Sequence, residues 1–204
     1  MPRPSDQAIE VAARIFERHE GVMRTSEALA AGVHPRTLYW MRDHGLLETL
    51  SRGVYHLTSH ALPAKPDLTA VMRRTPKAVL CLLSALDIHD IGTHVPAEVH
   101  IALSRDVRPP RIDYPRIRVF HMSAAALAAG VEERPVAGIP LRVFCIAKTV
   151  ADCFKYRGSV GQDVAIEALQ EVVRDRRATP GEIMRYAKVD RVENVIRPYL
   201  QALL

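Results

Sequence analysis

The sequence predicts an α+β protein, and three observations carry that prediction. Apolar residues recur at helical spacing through residues 5–45 and then alternate over residues 46–57. Short alternating segments separated by prolines fill the middle of the chain. From Ala147 onward the periodicity is helical almost to the end. With 204 residues, 48% of them hydrophobic and 25% charged, the composition is globular and the length suits two small domains, which we set at residues 1–62 and 63–204. A core of the first size is marginal alone, so the N-terminal domain is expected to lean on the second.

Ser5 suits the N-cap of a first helix in which Ala8, Val11, Ala12, Ile15 and Phe16 share a face, ending near Gly21. A short second helix, capped by Thr25 or Ser26, turns Ala28 and Leu29 inward and ends at Gly32. His34-Pro35 opens a third, with Pro35 at the first helical position, where its missing N–H costs nothing. On that helix Leu38 and Met41 are the core anchors, with Arg42 on their side. Arg36, Trp40 and Asp43 point the other way, flanked by Thr37 and Tyr39. Residues 46–57 alternate about Ser51-Arg52-Gly53 and read as a hairpin. This order of helix, short helix, glycine turn, helix and hairpin is that of a winged helix-turn-helix.

Pro63, Lys65 and Pro66 mark the boundary. Beyond it we expect a short helix at 67–74, an apolar helix at 78–89, and strands at 98–104, 116–122, 131–135 and 140–144, the last two joined through Ala137-Gly138. These form a small sheet, expected to be antiparallel. Helices follow at 149–156, 160–174, 180–188 and 192–203.

A helix-turn-helix places its last helix in the major groove. In that pose Arg36, Trp40 and Asp43 face the bases, Thr37 and Tyr39 lie near the sugar-phosphate walls, and Arg24, Thr25, Ser26 and Arg52 contact phosphates. Arg36 suits bidentate reading of a guanine. Paired half-sites, as repeats in operator DNA, are the expected target. The net charge of +5 suits a polyanion, yet residues 1–60 hold seven basic and seven acidic residues, so contact must come from placement and not from bulk charge. That balance leaves open a second reading, a winged-helix module that docks a protein and binds no DNA.

No catalytic site is expected. Ser84 lacks a nucleophile elbow, no glycine-rich phosphate loop is present, and Glu98 with His100 has no accompanying nucleophile. The nine histidines make no metal-ligand spacing, so neither a metal nor a cofactor is expected. Cys81, Cys145 and Cys153 lie in apolar stretches and read as buried, reduced thiols. The longest apolar run is too short to cross a membrane and the N-terminus lacks a signal sequence, so we expect a cytoplasmic protein.

The string Thr25-Ser26-Glu27-Ala28-Leu29-Ala30-Ala31-Gly32-Val33-His34-Pro35-Arg36-Thr37-Leu38-Tyr39, followed by Leu50-Ser51-Arg52-Gly53-Val54-Tyr55, resembles the N-terminal domain of AbiEi-type antitoxins. Cys81-Leu82-Leu83-Ser84-Ala85-Leu86 and Lys148-Thr149-Val150-Ala151-Asp152-Cys153-Phe154-Lys155-Tyr156-Arg157 are similar to that family's C-terminal half. The resemblance implies an antitoxin of a toxin–antitoxin or abortive-infection (phage-defence) module, opposing a nucleotidyltransferase-like toxin and repressing the promoter they share. Within the last block Lys148, Asp152, Lys155, Tyr156 and Arg157 are candidates for toxin antagonism. The alternative for Lys148 and Asp152, spaced i and i+4, is an ordinary ion pair on a solvated face.

Overall fold

The computed structural model describes residues 3–62, 64–94, 96–136 and 139–203; Pro63 and the Ala137-Gly138 link fall outside them. The chain forms two compact units. One comprises Met1–Pro76 with Pro110–Pro115 and Pro135–Pro140; the other comprises Lys77–Pro109, Arg116–Arg134 and Leu141–Leu204.

In the first unit, α1 (Asp6–Glu17) begins where Ser5 Oγ accepts the Ala8 N–H at 3.2 Å. It buries Ala12, Ile15 and Phe16, while Val11, at the rim of that stripe, stays exposed. Gly21, at φ +72°, turns the chain into β1 (Val22–Arg24), a strand too short to show a period in sequence. Helix α2 (Thr25–Ala30) follows directly. Its cap differs from expectation: Arg24 is the N-cap residue, and Glu27 reaches back so that its Oε2 accepts the Arg24 N–H at 2.8 Å. The acid three residues into the helix thus satisfies the N–H of the cap residue itself, a different donor from those inside the first turn that a Thr25 or Ser26 hydroxyl was expected to serve. Ala28 is buried as expected, but Leu29 is exposed, because six residues make too little helix to bury more than one stripe. Helix α3 (Pro35–Asp43) starts with Pro35 and buries Thr37, Leu38 and Met41. The antiparallel hairpin β2 (Leu47–Ser51) and β3 (Val54–Leu57) turns at Arg52-Gly53 with an irregularity between Thr49 and Ser51. Strand β1 pairs antiparallel with the other side of β3, giving the order β1-β3-β2. Phe16, Met23, Leu38, Met41, Leu47 and Leu57 form the core beneath these elements. Helix α4 (Pro66–Arg74) completes the unit, with Arg73 Nη1 3.5 Å from Glu27 Oε2.

The second unit departs further from expectation. The apolar run at 78–89 is not one helix: Val79–Leu80 is strand β4, Cys81 caps, and α5 covers Leu82–Ile88. A uniformly apolar run fits a buried strand as well as a buried helix, so period alone could not divide it. Strands β5 (Val99–Ser104), β6 (Ile117–Met122), β7 (Val131–Val136) and β8 (Ile139–Phe144) complete a five-stranded sheet in the order β6-β5-β4-β8-β7. The sheet is neither small nor antiparallel throughout: β4 runs antiparallel to β5, but β4 with β8 and β5 with β6 are parallel. Parallel pairing needs both faces covered. Accordingly β5 is buried at five successive residues, including His100 and Ala102, which an alternating strand would have exposed.

Helix α6 (Ala124–Ala128) interrupts the strands, and five helices follow: α7 (Ile146–Lys155), α8 (Arg157–Val160), α9 (Gln162–Arg174), α10 (Pro180–Asp190) and α11 (Glu193–Gln201). Helix α7 is the centre of this core; every residue from Ala147 to Phe154 is buried. Cys81 and Cys153 are buried free thiols, whereas Cys145, at the N-cap of α7, is only half-buried. Among the described residues no helix is long and apolar enough to cross a membrane.

Candidate nucleic-acid interface

In the first unit the hairpin and α2 are joined at their ends. The Thr25 N–H donates to Gly53 O at 2.9 Å, and Thr25 Oγ1 lies 3.4 Å from the same carbonyl. Gly53 holds φ +76°, so the residue at this turn needs glycine's backbone freedom, while the space for a Cβ is ordinary, 3.5 Å from Thr25 Oγ1. The bond brings exposed Arg52 and Ser26 to the same end of the unit as half-buried Arg24.

Along α3, Arg36 and Asp43 are exposed, and Tyr39 and Trp40 are half-buried. Thr37 is not on the surface as expected; it is buried, because the start of α3 lies against α1 and closes a shallow cleft lined by Ala8, Val11 and Val33. Asp43 is engaged by Arg42, whose Nη2 lies 2.6 Å from its Oδ1, and the Arg42 guanidinium also sits 5.0 Å over the Tyr39 ring. Trp40 packs partly against the core and stacks on His44, ring centroids 3.9 Å apart. The C-terminal end of α3 is therefore charge-balanced, and the cationic end is the one that begins at Arg36. Sequence reasoning missed Arg3: it ion-pairs with Asp6, lies 5.8 Å over the Trp40 ring, and its carbonyl accepts from Arg36 Nη2 at 3.4 Å.

The candidates in the second unit occupy a different environment from the one expected. Lys148 and Asp152 lie on no solvated face; both side chains are wholly buried and paired with each other. Asp190 of α10, which the sequence pattern did not single out, completes the cluster, with Oδ2 3.0 Å from Lys148 Nζ. Lys155 reaches the same carboxyl at 3.4 Å from its half-buried position. Tyr156 sets its ring edge-on to Phe120 at 5.1 Å, and Arg157 Nη1 donates to Phe154 O at 2.8 Å, tying the end of α7. A signal for Asp190 existed: with Ile183 and Ala187 it falls at i+7 and i+3 on the buried stripe of its helix.

Burial pushes the Asp152 carboxyl from 3.8 up to about 8; Lys148 pulls it down, and Asp190 adds to the rise. The native state then holds a proton that the unfolded chain releases, so this contribution to stability is complete below about pH 4 and is lost as pH rises toward about pH 8. We expect thermal stability to decline across that window, and Asp152→Asn, which is neutral throughout, to flatten the decline. A slope unchanged in the variant would assign it to other groups.

His100, buried on β5, has its imidazole pushed down to about 4, first by burial and then by Arg118. It therefore stays neutral near pH 7 beside Glu98, whose Oε1 lies 3.9 Å away. Among the described residues no three His, Cys, Asp or Glu side chains are grouped to hold a metal.

Residues 10–58 match the family model described as "Transcriptional regulator, AbiEi antitoxin". The match covers α2, α3 and the hairpin, and it agrees with the resemblance carried by residues 25–39 and 50–55. Among solved structures, the Rv2827c protein of Mycobacterium tuberculosis is similar in fold: the TM-score is 0.63 at 15% identity, covering 92% of this chain and 73% of that one. No curated protein matches the chain in sequence.

Proposed function

We propose that the chain is an antitoxin and DNA-binding autorepressor of a toxin–antitoxin operon. Residues 3–57 act as a winged helix on operator DNA: α3 enters the major groove and the Arg52-Gly53 turn is the wing. The domain from residue 63 onward opposes a nucleotidyltransferase-like toxin. The observation that carries this reading is the bond from Thr25 to Gly53, which holds wing and α2 together beside the exposed side of α3 in the segment that matches the regulator family. Arg24, Ser26 and Arg52 contact phosphates, and Arg36 reads a base. Thr25 serves through its bond to the wing, Tyr39 flanks the groove, and Asp43 positions Arg42.

A gel shift with duplex from the promoter of the gene that encodes the chain tests this. We expect salt-sensitive retardation, strengthened by paired half-sites. Arg52→Ala should weaken binding to all sequences alike and lower the salt slope by about one, whereas Arg36→Ala should relax discrimination at one base pair by about 1–3 kcal/mol. Absence of salt-sensitive retardation at every protein concentration would overturn the proposal. The charge balance of residues 1–60 favours the second reading, a protein-docking winged helix, and that outcome would select it.

Opposition to the toxin falls to the accessible part of the α7 block. Lys148 and Asp152 are buried and act by shaping the core; Lys155, Tyr156 and Arg157 have exposed atoms that a partner could touch.

A further inference from the structure

We propose that Arg3, in the segment preceding α1, is an additional DNA-contacting residue and that Trp40 positions it; the proposal rests on the DNA-binding reading above. Two contacts place the segment on α3 and a third ties it to α1. The Arg3 guanidinium lies 5.8 Å from the Trp40 ring centroid, within range of a cation–π interaction. The Arg3 carbonyl accepts from Arg36 Nη2 at 3.4 Å. Asp6, at the first turn of α1, ion-pairs with the Arg3 side chain and fixes its direction. Arg3 nevertheless remains exposed, with 67% of its side chain accessible.

The arrangement changes what α3 can offer to DNA. Trp40 is half-buried, with His44 stacked at 3.9 Å and Arg3 over the ring, so its surface serves as a platform more than as a base contact. At the other end of α3, Asp43 offsets Arg42. At the Arg36 end, Arg3 and Arg36 bring two cations to the one carboxylate of Asp6, and the Arg3 carbonyl meets the Arg36 side chain. A guanidinium held on an aromatic face keeps its outward N–H donors for phosphate or a base edge, and it loses less freedom on binding than a free side chain. Residues this far apart in sequence give no periodic signal, and the motif around Arg36 does not include Arg3.

The test is quantitative DNA binding by the full chain, using the promoter duplex and a scrambled duplex of equal length at several salt concentrations. Arg3→Ala should weaken binding about tenfold and lower the salt slope by about one, with the melting temperature unchanged because the side chain is exposed. Trp40→Leu should weaken binding in the parent but add little in the Arg3→Ala background, and Trp40→Phe, which keeps an aromatic face, should restore most of the loss. Parental affinity and salt slope in Arg3→Ala, while Arg52→Ala is impaired, would overturn this proposal and leave the DNA-binding reading standing. Additive losses from Arg3→Ala and Trp40→Leu would overturn the platform role. A parent chain that binds neither duplex would overturn both readings.

Discussion

Replacing Lys148 with methionine is expected to lower the free energy of unfolding by about 3–5 kcal/mol, as removal of one partner from a buried ion pair does. The ammonium lies between Asp152 and Asp190 with no exposure, and its Nζ also sits 4.8 Å over the Phe144 ring. Without it two carboxyls share a dry site, and Lys155, on the margin, reaches only Asp190. Asp152 Oδ2 already has no hydrogen-bond partner, so it has nothing in reserve. Chemical denaturation would measure the loss. Replacing all three residues together, Lys148→Met with Asp152→Leu and Asp190→Leu, should recover most of it, because a buried charge cluster exchanged for packed apolar groups is often neutral. A single variant as stable as the parent would mean that the two carboxyls manage with a shared proton.

The second large effect is expected in the first unit. Phe16 is fully buried beside Met23, Leu38 and Met41, in a core built from few large side chains. Phe16→Ala should cost about 3–5 kcal/mol, the transfer of the ring plus the cavity it leaves. In a core this small that is a large share of the stability available, so amide hydrogens of α1 and α3 should exchange much faster. Protection unchanged in both helices would show that the cavity collapses around the surrounding side chains. On the DNA-binding reading proposed above, binding should weaken in the same variant without any change in the residues that face solvent, because α3 carries Arg36 and Trp40.

The two halves differ in how much of them could be read from sequence. In the first, local signals sufficed: the Ser5 cap, Pro35 at the head of α3 and Gly53 in the hairpin each act over a few residues, and each is where periodicity placed it. Beyond the α2 cap, Leu29 and Thr37, what escaped was β1, three residues long, and Arg3, whose partners on α3 are 33 and 37 positions away. In the second, the sheet order depends on contacts between distant segments. Val79 and Leu80 pair with Ile101, Ala102 and Val143, a relation that an apolar run cannot announce. Lys148 and Asp152 show the same limit in chemical form. Their spacing gave the pair correctly, but the side of the helix they occupy was settled by Asp190, 42 residues from Lys148.

The bond between Thr25 and Gly53 has a mechanical consequence. The bond ties the tip of the hairpin to the first residue of α2, and on the winged-helix reading proposed above it resists their moving apart to follow a duplex of altered groove width. On that reading the unit works as a caliper, favouring DNA by the separation of its phosphates as well as by the bases beneath α3.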